Sequence, residues 1–386
     1  WAGNRQRYLD NLKVVLIAMI IAIHGVLSYV GFDQFWSYAD VQETTFSPVT
    51  EVILFVVIGP FALFMIALLF LVAGLLTRPS LEGKGPARFA ADRLLRLGVP
   101  FAVFTFGLWP LLMYALYHPL DAAPGSYWEE FVDESGNLDT GPLWFVGVLL
   151  IFSLGYAAWV GLARRTFAVA GSARQAAASP LAHDVTALRL LLVAGIVAAT
   201  TFLVRLVFPF GSESFTDLNV WEWPACIALF ALGIAASRQR WLTVVPDRLR
   251  RQCRLITLTA AAAMAALGFL AVQLGVLEQL FGGWNWPALA FAAIESLLTV
   301  LGSVWLLGAA QRHLGRRLPL GPKLARSSYA AFMVQGIVLI GLALALRPIP
   351  IVAEVKALVV AGGGVAGSFV LAWLLISRVP GIARVL

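Results

Sequence analysis

Ten long apolar stretches follow one another along the chain, and they constrain the fold more than any other feature. About 20 apolar residues in a helix span a bilayer core, and a helix satisfies its own backbone groups in lipid. Only 13% of the 386 residues are charged, too few to cover the surface of a soluble protein of this length. The sequence therefore predicts an all-α polytopic membrane bundle of about ten transmembrane helices, with a single domain over residues 1–386. The predicted spans are 12–31, 52–76, 96–117, 143–163, 188–208, 223–237, 255–274, 287–309, 327–346 and 356–377.

The charged residues separate into two groups of connecting segments. The N-terminus, the even-numbered connections and the C-terminal tail contain all of the 28 Lys and Arg except Arg205, Arg347 and Lys356, while the odd-numbered connections contain most of the 21 Asp and Glu. Because basic segments stay on the cytoplasmic side, both termini are predicted to be cytoplasmic. Residues 118–141 are then the longest outer loop, and the Ala- and Ser-rich residues 164–187 a cytoplasmic linker. The net charge of +7 thus follows from topology and does not indicate a nucleic-acid partner.

Ionisable side chains inside the spans are few, and each is a functional candidate because lipid makes them costly. At about 1.5 Å per residue, His24 lies about 10 Å from the outer end of the first span and Glu295 about 12 Å from that of the eighth. The similar depths predict that the two side chains meet, and a carboxylate beside an imidazole suits a general base. The alternative is that each is hydrogen-bonded separately to backbone or water.

Basic side chains at the cytoplasmic ends of two spans are candidates for binding an anionic substrate. Lys13 precedes His24 by eleven residues, about three helical turns, so the two lie on nearly the same face. Arg93 and Arg96 are one turn apart, with Arg88 nearby, and paired guanidiniums suit phosphate. The alternative for all of them is anchoring at the cytoplasmic surface, in contact with lipid headgroups.

The remaining polar and aromatic candidates concern the outer side and the interior of the bundle. Tryptophans at the ends of spans are typical of interfacial belts, but Trp144 and Trp286 are also candidates for stacking on a sugar. Gln335, near the middle of the ninth span, is a third candidate for binding substrate. The glycines at 362–364, with Gly367, are expected to allow close helix packing. Neither nucleotide-binding fingerprints nor metal-ligand spacing occur, so no metal is expected.

Five segments together resemble membrane acyltransferase family 3, and in particular its short branch related to the periplasmic-glucan succinyltransferase. The most specific is the Arg-x-x-Arg element at 92–101. The segments are Arg7-Tyr-Leu-Asp-Asn-Leu-Lys13 with His24 eleven residues later, Phe70-Leu-Val-Ala-Gly74, Asp92-Arg-Leu-Leu-Arg-Leu-Gly-Val-Pro-Phe101, Gly141-Pro-Leu-Trp-Phe145 with Leu149-Leu-Ile-Phe-Ser-Leu154, and Ser327-Ser-Tyr-Ala-Ala-Phe-Met-Val-Gln335.

The resemblance implies transfer of an acetyl- or succinyl-type group from cytoplasmic acyl-CoA (acetyl-CoA or succinyl-CoA) to a hydroxyl of an extracytoplasmic glycan or sugar. It implies that His24 is catalytic and that Arg93 and Arg96 contact the acyl-CoA. The chain departs from the family pattern at Lys13, where Arg is usual, and at Gln335, where many members have His. The alternative function is a proton-coupled transporter that uses the His24/Glu295 pair.

Overall fold

The computed structural model describes residues 2–31, 38, 41–117, 139–169, 185–212, 218–237, 244–316 and 319–379. Within these ranges the chain is helical and forms no β-strand. The predicted outer loop 118–141 and the predicted linker 164–187 lie mostly outside the described residues. The α-helices are α1 (Ala2–Leu27), α2 (Pro48–Val57), α3 (Gly59–Lys84), α4 (Pro86–Arg93), α5 (Val99–Val103), α6 (Trp109–Tyr117), α7 (Trp144–Val169), α8 (Ala187–Val204), α9 (Trp223–Ala236), α10 (Asp247–Gln273), α11 (Trp286–Leu297), α12 (Ser303–His313), α13 (Gly321–Leu346) and α14 (Ala353–Arg378).

Nine helical segments in the described chain are long and apolar enough to cross a bilayer, which confirms the predicted membrane bundle. The sixth predicted span corresponds to a shorter apolar segment, Val220–Ala236. Two spans are built from several helices in line. In the third, α4, α5 and α6 are joined by π-helical turns at Leu94–Gly98 and Phe104–Leu108, and in the eighth, α11 and α12 are joined by another at Leu298–Gly302. Each π turn widens the helix and changes which side chains share a face.

Several helices start earlier than the predicted spans. The third span was expected from residue 96, but its helical stretch begins at Pro86, and α10 begins at Asp247 although the predicted span begins at 255. Charged residues set the predicted limits, because they leave the hydrocarbon core. The backbone hydrogen-bond ladder does not depend on the bilayer, so the helices continue into the charged segments.

Small residues bring α3 and α9 into backbone contact. A Cβ added to Gly74 would collide with the carbonyl oxygen of Phe230, and one added to Gly233 would collide with that of Leu71. Close crossing of this kind is a common basis of helix association in membranes. It accounts for the glycine that ends the Phe70-Leu-Val-Ala-Gly74 segment, and it holds the shortest span tightly in the bundle.

A second glycine-rich seam joins α1, α13 and α14, and it positions the candidate site. A Cβ on Gly25 would lie 2.8 Å from the Cα of Ala361, while one on Gly364 would collide with the side chain of Leu339. At Gly367 the added atom would lie 2.8 Å from Val338. The expectation that the glycines of α14 serve close packing is confirmed for Gly364 and Gly367. The first and the last two helices are thereby held together.

Candidate active site

His24 and Gln335 form the polar centre of the α1–α13 contact. The imidazole Nδ1 lies 2.9 Å from the amide Oε1 of Gln335. Gln335 is fully buried, whereas His24 keeps part of its surface exposed, although it lies within a membrane-spanning helix. An amide oxygen only accepts hydrogen bonds, so this contact is a hydrogen bond in the tautomer that has the proton on Nδ1 and the lone pair on Nε2. In that tautomer the imidazole is a base.

Packing on both sides fixes this pair. On α1, Gly25 rests against the backbone of α14, immediately after His24. On α13, Phe332 lies three positions before Gln335, and its ring contacts Phe145 with centroids 6.1 Å apart. Phe145 in turn packs edge-on against Phe70 at 4.9 Å. The three phenylalanines come from three of the segments that carry the family resemblance, so those segments converge beside the histidine.

Glu295 does not pair with His24, and that predicted contact is wrong. Its two carboxylate oxygens accept hydrogen bonds from both terminal nitrogens of Arg205, at 2.6 and 2.9 Å. Both side chains are almost completely buried, with exposed fractions of 3% for Arg205 and 7% for Glu295. A bidentate pair of this kind uses both carboxylate oxygens of Glu295. Equal depth in the bilayer therefore did not bring His24 and Glu295 together.

Aromatic rings surround the Arg205–Glu295 pair, which joins the residue after α8 to the second half of α11. The guanidinium carbon of Arg205 lies 4.9 Å from the ring centre of Phe210, 5.5 Å from that of Phe291 and 5.6 Å from that of Trp221. A cation over aromatic faces is stabilised by their negative potential. The buried carboxyl of Glu222, next to Trp221, interacts electrostatically with both charged partners. This cluster ties the end of α8 and the start of α9 to α11.

Arg93 and Arg96 flank the start of the π turn in the third span. The guanidinium of Arg93 lies 5.0 Å above the ring of Phe89, and its buried Nε has no hydrogen-bond partner in the described chain. Arg96 is 59% exposed, and its Nε lies 3.2 Å from Asp92. Arg96 lies close enough to act electrostatically on Arg93. One guanidinium is thus partly buried and the other open, rather than both lying equally on one surface.

The other two residues predicted to contact the donor, Lys13 and Arg88, also keep part of their side chains exposed. Lys13 forms an ion pair of 3.0 Å with Asp10 and keeps 34% of its side chain exposed, and Arg88 is exposed on α4. Between Lys13 and His24 on the same side of α1, Ile17 and Ile20 are buried against neighbouring helices. The shared face of Lys13 and His24 is therefore packed between the two polar residues.

The two candidate tryptophans occupy different environments. Trp144, at the first turn of α7, is 8% exposed and directly precedes Phe145, whose ring contacts those of Phe70 and Phe332. Trp286, at the first turn of α11, is 55% exposed, as is typical of an interfacial tryptophan. The roles proposed for Trp144 and Trp286 in binding a sugar remain predictions.

The three basic residues that depart from the charge pattern each bind an oxygen acceptor. Arg205 pairs with Glu295, as described above. Lys356 is 2% exposed and donates to the carboxylate of Glu43 at 2.5 Å. Arg347 donates to the backbone oxygen of Val41 at 2.7 Å. Lys356 and Arg347 therefore fasten the segment after α1 to the first turn of α14 and the end of α13.

Glu43 is the centre of this outer network. It accepts hydrogen bonds from the Lys356 ammonium and, at 2.9 Å, from the Tyr38 hydroxyl. Burial disfavours its charged form, but the hydrogen bonds outweigh that effect and hold the pKa of Glu43 below its usual value of 4.5. The ring of Tyr38 packs edge-on against Tyr29, five residues after His24, with centroids 6.1 Å apart. The network thus closes over the outer end of α1.

Two partners were missed by the sequence reasoning, although the sequence carried a signal for each. Arg205 is one of only three basic residues outside the basic segments, which marks it as a residue that needs an acidic partner. Gln335 stood among the few polar side chains inside the spans, but depth along the helix favoured Glu295 over it. The partner of His24 depends on the rotation of each helix, which depth does not determine.

Comparison with known proteins provides one match. A family model described as an acyltransferase domain, that of acyltransferase family 3, matches residues 6–377, nearly the whole chain. The match covers α1 through most of α14 and includes every candidate residue named above. No curated protein and no solved structure matches the chain significantly.

Proposed function

The chain belongs to acyltransferase family 3, and from this premise we propose that it transfers an acetyl- or succinyl-type group from cytoplasmic acyl-CoA to a hydroxyl of an extracytoplasmic glycan or sugar. The observation that carries the proposal is the partly exposed imidazole of His24, held on Gln335 inside a membrane-spanning helix. A base inside the membrane is placed where a donor from the cytoplasm and an acceptor from the outer side would meet.

His24 acts as the general base in direct transfer. Its Nε2 takes the proton from the acceptor hydroxyl while the hydroxyl oxygen attacks the thioester carbonyl carbon. The carbon–sulfur bond then breaks, the new ester remains on the acceptor, and the sulfur of CoA receives the proton from His24. One proton moves from the acceptor to the leaving thiolate, and no covalent bond to the protein forms.

Arg93 and Arg96 bind the phosphates of the donor, with Arg88 and Lys13 contributing charge at the same membrane surface. The buried Nε of Arg93 has no partner in the described residues, and an arginine nitrogen in that position suits an anionic oxygen. Arg96 is open to solvent, where it can meet a charged ligand arriving from the cytoplasm. Both termini lie on this side of a bacterial inner membrane, in keeping with the positive-inside pattern.

The acceptor reaches His24 from the outer side, past the network around Glu43. Trp144, Trp286 and Gln335 remain candidates for contacts with it. The transporter alternative depended on a His24/Glu295 pair, and Glu295 instead neutralises Arg205. No specific observation therefore favours proton-coupled transport.

The decisive experiment follows acyl transfer by purified protein in lipid nanodiscs, with radiolabelled acetyl-CoA and succinyl-CoA and a mixture of glucan and monosaccharide acceptors. We expect His24→Ala to abolish transfer while the variant still binds donor. His313→Ala changes an exposed histidine at the end of α12 and serves as the matched control. Full activity of His24→Ala would contradict the assigned role.

Donor binding is measured separately, by displacement of labelled acyl-CoA. Each charge-assisted hydrogen bond contributes about 1.5–3 kcal/mol, so Arg93→Ala with Arg96→Ala is expected to weaken donor binding by at least about tenfold. Arg189→Ala, on α8, is the basic control. If wild-type protein neither binds acyl-CoA nor hydrolyses it, the proposed function is wrong.

A further inference from the structure

Gln335 is an unusual residue for a fully buried position in a membrane-spanning helix. It is fully buried in α13, and its amide nitrogen has no hydrogen-bond partner in the described chain. A buried donor without a partner destabilises the fold, a penalty that a methionine of similar length avoids. The only contact of the amide that the described structure shows is the 2.9 Å hydrogen bond to His24. The presence of a costly amide is thus explained by what its oxygen does for the imidazole.

We propose that Gln335 is a positioning residue that holds His24 as the Nδ1-protonated tautomer, so that Nε2 is the basic nitrogen. The inference rests on the proposed function and assigns a role to the position where the chain departs from the family pattern. Its physical basis is that the amide oxygen can accept a hydrogen bond from Nδ1–H but cannot donate one. A neutral imidazole has one protonated nitrogen, so fixing the proton on Nδ1 fixes the lone pair on Nε2.

The neutral amide also restricts the path of the proton. Gln335 does not ionise, so a proton that Nε2 takes from the acceptor cannot leave through Nδ1 to a second acid. It returns from Nε2 to the sulfur of CoA as the carbon–sulfur bond breaks. His24 and Gln335 therefore support a cycle in which one nitrogen first removes and then delivers the same proton.

Packing between α1, α13 and α14 keeps the imidazole of His24 and the amide of Gln335 in position. Gly25 holds α1 against the backbone at Ala361, and Gly364 holds α14 against Leu339 of α13. Leu339 lies one turn beyond Gln335, so the seam fixes the helix that carries the amide. A positioning bond is effective when both partners are held by packing of this kind.

The test is the nitrogen NMR spectrum of His24 in protein labelled with ¹⁵N-histidine and reconstituted in nanodiscs. The chain has four histidines, and His24→Gln identifies the signals of His24 by their loss. We expect wild-type His24 to be protonated at Nδ1 and unprotonated at Nε2 above neutral pH. In Gln335→Met, which has similar volume but no acceptor oxygen, the population should shift toward the Nε2-protonated tautomer.

Kinetics supply the second measurement. A positioned general base contributes about 10²–10⁴-fold, so Gln335→Met should lower kcat by about 10²-fold while KM for the acyl donor stays unchanged. Ile340→Met, a buried change on α13 outside this contact, is the matched control and should alter neither the tautomer nor kcat. A merely structural role of Gln335 would leave the tautomer of His24 unchanged.

The results separate this inference from the proposed function. Wild-type protein that transfers acyl groups with His24 protonated at Nε2 overturns the inference alone, whether or not the methionine variant folds. The expected tautomer in a protein without transferase activity overturns the proposed function and leaves the positioning contact intact. Unchanged kcat in a folded Gln335→Met variant, or a rise in KM without a fall in kcat, also overturns the inference.

Discussion

Breaking the Arg205–Glu295 pair is expected to destabilise the fold without removing the catalytic base. The perturbations are Arg205→Met, Glu295→Gln and the two changes together. Each single change leaves a charged partner in a site where the side chains are 3% and 7% exposed. Removing one partner of a buried pair costs about 3–5 kcal/mol, mostly because the other charge then lacks compensation.

The structure predicts that the two single changes differ. Glu295→Gln leaves the guanidinium among three aromatic rings, so its charge remains partly compensated. Arg205→Met leaves the carboxylate of Glu295 without its cation. We expect a loss of about 3 kcal/mol for Glu295→Gln and about 5 kcal/mol for Arg205→Met. The double change removes one carboxylate and the cation together, so its loss should be smaller than the sum by about 2–3 kcal/mol.

The assay is unfolding by sodium dodecyl sulfate in mixed micelles, followed by tryptophan fluorescence, with acyl transfer measured per folded molecule. Thr200→Val, an exposed change on α8 five residues before Arg205, is the control for altering that helix. Glu295→Gln should retain acyl transfer per folded molecule, because the Nδ1 of His24 bonds Gln335 instead. A Glu295→Gln variant of wild-type stability that has lost turnover would refute this reasoning and place Glu295 in the catalytic machinery. Additive losses in the double variant would refute the coupling.

Two further predictions concern packing and the outer network. Gly233→Ala should lower the free energy of unfolding by about 2 kcal/mol or more, because the new methyl group meets the backbone of α3. The control Gly195→Ala, which has open space around it, should raise it by about 0.5–1 kcal/mol. Equal unfolding midpoints of the two variants would contradict the backbone contact. Because the pKa of Glu43 is lowered in the folded state, the stability it provides is full above its usual value of 4.5 and is lost as the pH falls through the folded pKa. The difference in unfolding temperature between wild type and Glu43→Gln should therefore shrink between about pH 6 and pH 3, and a difference that grows on acidification would contradict the ion pair with Lys356.

The membrane bundle could be predicted because it depends mainly on properties of single segments of the chain. The length and hydropathy of each stretch decide whether it spans the bilayer, and both are read directly along the chain. The short sixth span was also recognisable, but its backbone contact with α3 was not, because five other helices, α4 to α8, separate Gly74 from Gly233 in sequence. Among the small residues, only the clustered glycines of α14 gave a signal strong enough to predict close packing.

The candidate site was predictable residue by residue but not pair by pair. His24, Gln335 and Glu295 stood out because polar groups are rare inside the spans. Depth gave Glu295 the same level as His24, yet the rotation of α11 directs its carboxylate to Arg205. Similarly, the spacing of Arg93 and Arg96 predicts one face of an α-helix, whereas the π turn beginning at Leu94 places one partly inside and the other in solvent. Both errors have the same cause. The spacing of residues along the chain encodes neither the rotation of a helix about its axis nor whether a turn is α-helical or π-helical.

The His24–Gln335 hydrogen bond joins residues 311 positions apart, on the first helix and on the next to last. At a synthesis rate of about 5–20 residues per second, the histidine emerges on the order of half a minute before its partner. The seam that holds both helices also requires α14, the final helix described. On the proposed mechanism, we therefore expect the nascent chain to lack acyltransferase activity until α13 and α14 have inserted, and His24 to acquire its tautomer only then.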